Sequence, residues 1–434
     1  MLPGAAAEAT QAETPPPEQA APHALRVRAF RRYVLGQLVS NTGTWMHRAA
    51  QDWLVLQLTG HSGTAVGIVT ALQFLPQSLL GLWGGVIADR YPKRTLLLLT
   101  QSLMAGQALL LGALTLGGTV RVWHVYALAT ALGAATALDG PARNAFIGEL
   151  VGRARLPSAV SVNAAQFNAA RFLGPAVAGV VIAALGSGWV FLLNAFSYAA
   201  VLAGLATMRP PDPAATRRRA ANGVRLTDAL RHIRATPPLR RTIALTAVIG
   251  TFCLNFQVTI SLLAVTEFHT GAAAFGALSA AYAAGSLLGA LRAAGRSRPP
   301  SLRLLVGWAA GFGLLEAAAG VMPTPVACAV VLVPTGAAAV LVTTMANTLV
   351  QLSTDPGMRG RVLSVYFLVL LGGTPFGAPL IGWIAQTFGA RYGLVLGGAA
   401  GLLAAGAVAV SCPAPAHPKG EACRDPAVGG RRDV

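Results

Sequence analysis

The chain has 434 residues, 54% hydrophobic and only 11% charged, with 49 glycines and a net charge of +18 from 33 Lys and Arg against 15 Asp and Glu. A water-soluble globule is charged at about a quarter of its positions, so this composition excludes one and indicates an integral membrane protein. Segments of alternating polarity are absent, which excludes a membrane barrel; the chain instead offers roughly twelve apolar stretches of the length a crossing helix needs.

Residues 1–28 are rich in Ala, Pro and Glu, lack an apolar signal core, and are expected to form a disordered cytoplasmic extension. Helices are expected over 33–58, then to Ala88 after a turn at 59–63, and after a charged turn over 95–116 and 122–138. The fourth ends at Asp139-Gly140-Pro141-Ala142-Arg143, and helices over 157–185 and 189–208 complete a first bundle of six, 29–208. Composition then turns abruptly polar, with nine arginines between 209 and 241, so 209–240 reads as a cytoplasmic connector. Within it, 226–233 suits a short amphipathic helix on the membrane surface. Helices over 242–265, 273–292, 302–321, 325–350, 361–388 and 392–410 form a second bundle, 241–411, followed by a tail at 412–434. The expected fold class is an all-α integral membrane protein with twelve transmembrane helices in two pseudo-symmetric six-helix bundles.

On this scaffold 29 of the 33 cations fall on the connector's side of the membrane. The opposite turns hold only Arg121 and Arg391, while Arg48 and Arg171 lie within helices. By the positive-inside rule both termini and the connector are cytoplasmic. Topology thus accounts for the positive charge, and no nucleic-acid partner is needed to explain it. The four cysteines show no Cys-x-x-Cys spacing, so neither a disulfide framework nor a metal site is indicated.

The two bundles are related in sequence. Ser161-Val162 and Ser364-Val365 are each followed by glycines at one common offset: Gly174 with Gly377, Gly179 with Gly382, and Gly186 with Gly389. A second match sets Ser78-Leu79-Leu80-Gly81 against Ser286-Leu287-Leu288-Gly289. Small residues let helix backbones approach closely, so these glycines mark either a surface between the bundles or ordinary packing within them.

Gly85, with Asp89 four residues on and then Arg90, Lys93 and Arg94, places a carboxylate and three cations between two apolar helices. This turn resembles the loop between the second and third helices of the major facilitator superfamily, which is cytoplasmic and ties the two halves together. Gly174-Pro175 with Gly179 is similar to the Gly-Pro motif of that family's exporters. The strings around Asp139–Arg143, Asn168–Pro175, Phe191–Asn194 and Arg359–Ser364 look like the bacterial branch containing the enterobactin exporter and macrolide efflux proteins. The resemblance implies two parallel six-helix repeats with a substrate site between them near the midplane. It implies that Gly174, Pro175, Gly179, Gly377 and Gly382 lie where the halves meet. It also places Asp89 at the start of the eleventh helix, near Gly360 and Arg361, where a helix N-terminus favours a carboxylate by about 0.3–1 kcal/mol. Asp89 would then latch the cytoplasmic side, with Arg90, Lys93 or Arg94 pairing to Asp139 beside Arg143.

Cavity candidates follow from helical spacing. Asn41, Thr44, Arg48 and Asp52 share one face of the first helix, and charges there must face protein or water, since lipid exposure costs at least about 2.5–3.5 kcal/mol each. Arg48 and Asp52 form either a structural ion pair or a proton-coupling site. Gln166 and Arg171 add polar groups from the fifth helix, and Asn255 and Gln257 from the seventh, opposite Arg48. Lysine occurs only at 93 and 419, so no Gly-Lys-Ser/Thr phosphate loop is encoded, and neither a serine-hydrolase elbow nor a zincin signature is present. No enzyme activity or cofactor is expected. The resemblance implies a monomeric bacterial inner-membrane exporter that exchanges a hydrophobic or siderophore-like small molecule for protons. A nutrient importer or uniporter, or a non-transporting scaffold, are the alternatives. If the charge distribution sets topology, single cysteines replacing Ser62, Ser187 or Thr324 in a cysteine-free background react with an impermeant thiol reagent in intact cells. Ala215→Cys does not, and its labelling from outside would reverse the orientation.

Overall fold

Hydrocarbon offers no hydrogen bonds to backbone N–H and C=O groups, so a chain this apolar satisfies them within its own helices. The computed structural model describes residues 24–152, 155–207, 226–296, 299–355 and 358–411, and every regular element among them is helical. In chain order these are α1 (Arg28–Leu58), α2 (Gly63–Arg90), α3 (Lys93–Leu116), α4 (Val122–Val151), α5 (Leu156–Leu185), α6 (Ser187–Thr207) and the short α7 (Leu226–Ala235). There follow α8 (Pro237–Val248), α9 (Phe256–Leu262), α10 (Ala272–Ala294), α11 (Leu302–Val321), α12 (Pro325–Leu352), α13 (Arg359–Gly372), α14 (Thr374–Phe388) and α15 (Ala390–Ser411). Ten segments among the described residues are long and apolar enough to cross a membrane. One of them, Pro237–Glu267, contains both α8 and α9, and another, Arg359–Phe388, contains α13 and α14. α1 and α4, at 31 and 30 residues, are long enough but too polar for that standard. α1 carries Arg28, Arg31, Arg32, Arg48 and Asp52, and α4 carries Asp139, Arg143 and Glu149.

Several boundaries differ from expectation for physical reasons. Residues 24–28 are not part of a loose extension: Ala24 is fully buried and its N–H donates to Ser158 Oγ at 3.2 Å, which anchors the entry to α1. Residues 1–23, 208–225 of the connector, and the tail at 412–434 lie outside the described residues. α2 continues through Arg90, leaving only Tyr91 and Pro92 as the turn. α4 does not end at Asp139 but runs on through Pro141 to Val151. A helical proline has no N–H for the carbonyl four residues back; here that carbonyl belongs to Ala137, and Gly84 of α2 lies directly against it. The span Pro237–Glu267 is interrupted where α8 passes into a π-helical stretch, Ile249–Cys253, ahead of α9. Asn255 Nδ2 donates to Thr251 O at 2.7 Å and so satisfies a carbonyl at the break.

The repeated glycines serve two different contacts. Gly174 of α5 lies against Trp45 of α1, and Gly377 of α14 against the Thr251 carbonyl, so each packs the helix that bears it onto the first helix of its own half. Gly179 of α5 instead meets Gly276 of α10, while Gly382 of α14 meets Gly63 and Gly67 of α2. Those two contacts cross between the halves. The expectation that all five motif residues line one surface is therefore corrected: Gly174 and Gly377 face inward, as do Gly84, Gly285 and Gly289. Residues five apart on a helix point about 140° apart, so one glycine of each pair cannot share the other's partner. Gly186 and Gly389, with φ of +88° and +112°, close α5 and α14 in the left-handed region that glycine adopts without strain.

Ser62 Oγ and the Thr64 N–H both donate to Gln386 Oε1, at 2.8 and 3.0 Å, beside the Gly63–Gly382 contact. At Gly179 the neighbouring atoms are Gly276 backbone, which cannot rotate aside. Gly179→Ala is expected to destabilise the folded protein by about 1–3 kcal/mol through overpacking. Gly81→Ala, at a site with nothing within 4 Å of an added Cβ, is expected to be neutral or to stabilise by up to about 1 kcal/mol through helix propensity. Thermal unfolding of the two purified variants separates them, and equal midpoints would remove the contact from the account.

Candidate functional site

A cavity of about 230 Å³ lies between the two halves. α1 contributes Asn41, Thr44, Trp45 and Arg48; α2 contributes Thr70, Phe74 and Gln77; α4 contributes Asp139 and Arg143; α5 contributes Phe167, Arg171 and Pro175. Across from them stand Asn255, Gln257, Ser279, Tyr282 and Thr374. Six of the eight residues expected in a cavity are brought together there: Asn41, Thr44, Arg48, Arg171, Asn255 and Gln257. The break ahead of α9 puts Asn255 and Gln257 at the wall, because irregular backbone at membrane depth is tolerated where protein or a cavity surrounds it.

Asp52 and Gln166 do not line the cavity. Asp52, one turn beyond Arg48, is 1% exposed and faces α2, where Thr70 Oγ1 and Gln73 Nε2 approach Oδ1 at 3.5 and 3.4 Å. The expected Arg48–Asp52 ion pair is not among those formed by the described residues. Arg48 lies instead on two rings, with Cζ 4.5 Å from the Phe74 centroid and 5.1 Å from that of Trp45. A desolvated guanidinium over aromatic faces gains about 2 kcal/mol. Gln166 is buried and donates to Asn163 Oδ1 at 3.0 Å on its own helix.

The cationic relay expected at the cytoplasmic turn is corrected in full. Asp139 pairs with Arg143, one turn along α4, and Oδ1 also accepts from Thr100 Oγ1 at 2.9 Å and Gln101 Nε2 at 2.8 Å. Arg143 Nη1 donates to Asn41 Oδ1 at 2.9 Å, so one network ties α1, α3 and α4 at the cavity wall. Because α4 stays helical through Pro141, Asp139 lies inside the bundle and beyond reach of the turn. Lys93 pairs with Glu149 at 3.7 Å. Arg94 caps the end of α6, donating to Leu205 O and Ala206 O at 2.8 and 2.9 Å. Arg90 is exposed, and Gly85 has open space beside it. The side chain of Asp89 lies outside the described residues; its backbone belongs to the last turn of α2.

Among the other buried titratable residues, His47 and Glu316 stand apart from the cavity. His47 is bonded to Gln107 at 2.9 Å and set edge-on to Phe191. Glu316 of α11 is 2% exposed and lies against Gly397 and Cys253. Sequence reasoning missed the aromatic wall of Trp45, Phe74, Phe167 and Tyr282. The signal was present for two of these: Trp45 precedes Arg48 by three residues and Phe167 precedes Arg171 by four, the spacings that stack side chains on one helical face.

Removing one member of a buried ion pair leaves an uncompensated charge and costs about 3–5 kcal/mol. Asp139→Ala is expected to destabilise by that order, and adding Arg143→Leu to recover part of the loss. Chemical or thermal unfolding of the single and double variants tests this, and a double variant no more stable than the single would mean the pair does not govern stability.

The sequence model of the family described as transmembrane secretion effector matches residues 19–426. The chain is 33% identical over 157 residues to the staphyloferrin A transporter of Staphylococcus aureus, an alignment spanning 36% of this chain and 39% of that protein. It is 27% identical over 356 residues to the enterobactin exporter EntS of Salmonella typhimurium, covering 82% of this chain and 85% of the relative. The multidrug efflux pump Tap of Mycolicibacterium fortuitum is 27% identical over 365 residues, with 81% and 88% covered. In fold alone, the chain is similar to the nucleoside transporter NupG, with a TM-score of 0.72 at 11% identity over 88% of this chain and 98% of that one. The D-xylose–proton symporter gives 0.67 at 15% identity, over 87% and 96%. With its membrane-crossing helices and a family match over almost its whole length, the chain belongs to the transmembrane secretion effector family of major facilitator transporters.

Proposed function

We propose that the protein is a secondary active exporter, moving a hydrophobic or siderophore-like small molecule outward across a bacterial inner membrane by alternating access, in exchange for protons. The observation that carries this reading is a cavity lined by both halves, with close backbone contacts between those halves, among the described residues, at Gly179 with Gly276 and from Ala378 to Gly382 with Gly63 and Gly67, toward the end of the molecule that carries Gly186 and Gly389. That end carries the turns with few cations and is the external one in this reading. Opening the cavity outward parts Gly179 from Gly276, Gly382 from Gly63, and Gln386 from Ser62 and Thr64. These contacts involve little side-chain area, which suits a surface that must separate repeatedly.

The reading takes α1 and α4 as spans, for a total of twelve in bundles 29–208 and 241–411 joined by 209–240. Both termini are cytoplasmic, and the unit is a monomer. The polar residues that keep α1 and α4 below the apolar standard are shielded: Asn41, Arg48, Asp52 and Asp139 are all buried. Asp89 is retained as a cytoplasmic latch toward the start of α13, a helix that touches α2. Asp52 is the proposed proton carrier. It has a link to the cavity through Thr70, which both approaches its carboxylate and lines the wall. The Thr70 hydroxyl lies 3.0 Å from the Val66 carbonyl and 3.5 Å from Asp52 Oδ1, so a substrate at the wall that re-aims it changes the donors around Asp52, and a buried carboxyl without an ion-pair partner answers by exchanging a proton.

Cells lacking their own efflux pumps, with and without this chain, can be exposed to a panel of hydrophobic and siderophore-like compounds. Expressing cells are expected to retain less of a substrate, and a protonophore to abolish the difference. Asp52→Asn is expected to abolish gradient-driven uptake into inverted vesicles while leaving substrate exchange measurable. Greater retention in expressing cells indicates an importer; a difference insensitive to protonophore, or gradient-driven uptake by the variant, removes the proton mechanism.

A further inference from the structure

The charge of the cavity is one-sided. Its lining carries three guanidiniums, Arg48, Arg143 and Arg171, against one carboxylate, Asp139. Asp139 is committed to Arg143 and to donors from α3. Arg48 and Arg171 are in no ion pair among the described residues. Arg48 is only 4% exposed, and its buried Nε has no hydrogen-bond partner. Arginine stays protonated in proteins, so two fixed positive charges face a space whose lining, among the described residues, holds no unpaired carboxylate; Asp52 lies behind Thr70 and outside that lining.

Their placement is built rather than incidental. Both guanidiniums address the same ring: Trp45 lies 5.1 Å from Arg48 Cζ and 5.5 Å from Arg171 Cζ. Phe167 packs edge-on against Trp45 with centroids 5.9 Å apart, and Phe74 lies under Arg48 at 4.5 Å. Gly174 makes this possible, since a side chain there would collide with Trp45 Cβ and push α5, with Arg171, away from α1. Ring faces offset only part of the cost of holding two like charges out of water. An anion between the two guanidiniums would supply the rest, through charge-assisted hydrogen bonds. The neighbouring rings offer flat apolar surface for whatever carries that anion.

We infer that the cavity is selective for organic anions: a carboxylate or phenolate held by Arg48 and Arg171, on a planar apolar body laid along Trp45, Phe74 and Phe167. Organic cations of the same shape are rejected by the same two charges. The inference deepens the transport reading and rests on it only in taking this cavity as the substrate site.

Three probes on one ring system isolate charge: 2-naphthoate, the neutral 2-naphthamide, and 2-naphthylmethylammonium. Their binding to the full chain in phosphatidylcholine nanodiscs can be measured by equilibrium dialysis. Naphthoate is expected to bind at least about tenfold more tightly than the amide, and the ammonium to bind more weakly than both. Arg48→Gln and Arg171→Gln are each expected to weaken naphthoate about tenfold while leaving the amide within about twofold, which also reports that the variants are folded. Should a variant lose all binding, the wild-type ranking alone decides. Naphthoate no tighter than the amide, no naphthoate binding at about 1 mM, or an ammonium that binds as well as the anion overturns the inference. Binding selectivity that persists in a protein unable to transport would remove the transport reading and leave the anion site standing. Transport with no charge preference in binding would do the reverse.

Discussion

Among the described residues the two halves approach each other backbone to backbone at Gly179 with Gly276 and at Gly382 with Gly63 and Gly67, and the cavity is placed by these contacts. Within a bilayer no hydrophobic driving force pulls helices together; association depends on van der Waals contact and on how near the backbones can come. At Gly179 with Gly276, and at Gly382 with Gly63, backbone lies directly against backbone. The halves are held together there, and beside these contacts lies a space lined from both sides. The glycines one and a half turns earlier, Gly174 and Gly377, seat the same two helices against α1 and against the broken span that contains α9. Each helix thus carries one contact that builds its own half and one that joins the halves. This is the physical content of the sequence repeat.

The polar residues of the interior divide into two kinds. Asp139, Arg143, Asn41, Thr100 and Gln101 bond to one another and bind three helices into one wall, although Asn41 Nδ2, Gln101 Oε1 and Arg143 Nε are left without partners. A buried network of this sort is high in cost if broken. Arg48, Arg171 and Asp52 are the other kind. The arginines rest on rings, and the carboxylate on long contacts to a threonine and a glutamine. Groups left incompletely satisfied inside a protein are where a ligand or a proton has most to contribute. Arg48 and Asp52 share a face of α1, yet they are occupied with different neighbours. The rings of Trp45 and Phe74 draw the guanidinium toward the cavity, while α2 holds the carboxylate behind Thr70.

A large part of this was legible in the chain. Composition and the length of apolar stretches identified a helical membrane protein, because burying backbone in lipid leaves few architectures. Most helix positions were accurate to a few residues, the end of α4 at Asp139-Gly140-Pro141 being the exception; the limits 302–321 coincide with α11. The common offset of Gly174 with Gly377 and Gly179 with Gly382 disclosed a repeat, and helical spacing placed Asn41, Thr44 and Arg48 on one face. Periodicity carries that much because it depends on local backbone geometry alone.

What spacing cannot specify is the partner across a gap, since that depends on how helices are rotated against one another. Arg48 and Asp52, four apart, have the spacing of an ion pair but form none, because residues from α2 compete for each. Asp139 was assigned to the cytoplasmic turn because Pro141 reads as a helix end. α4 instead continues through Pro141, with Gly84 packed against the carbonyl that proline leaves free, which carries the aspartate into the cavity wall and leaves Lys93 to Glu149 and Arg94 to the end of α6. The aromatic wall was overlooked for the same reason: Trp45 and Phe74 come from different helices, and their meeting around one guanidinium exists only once α1, α2 and α5 are docked. Local sequence determines which face of a helix a residue occupies, whereas the energy of that face depends on atoms brought to it from elsewhere in the chain.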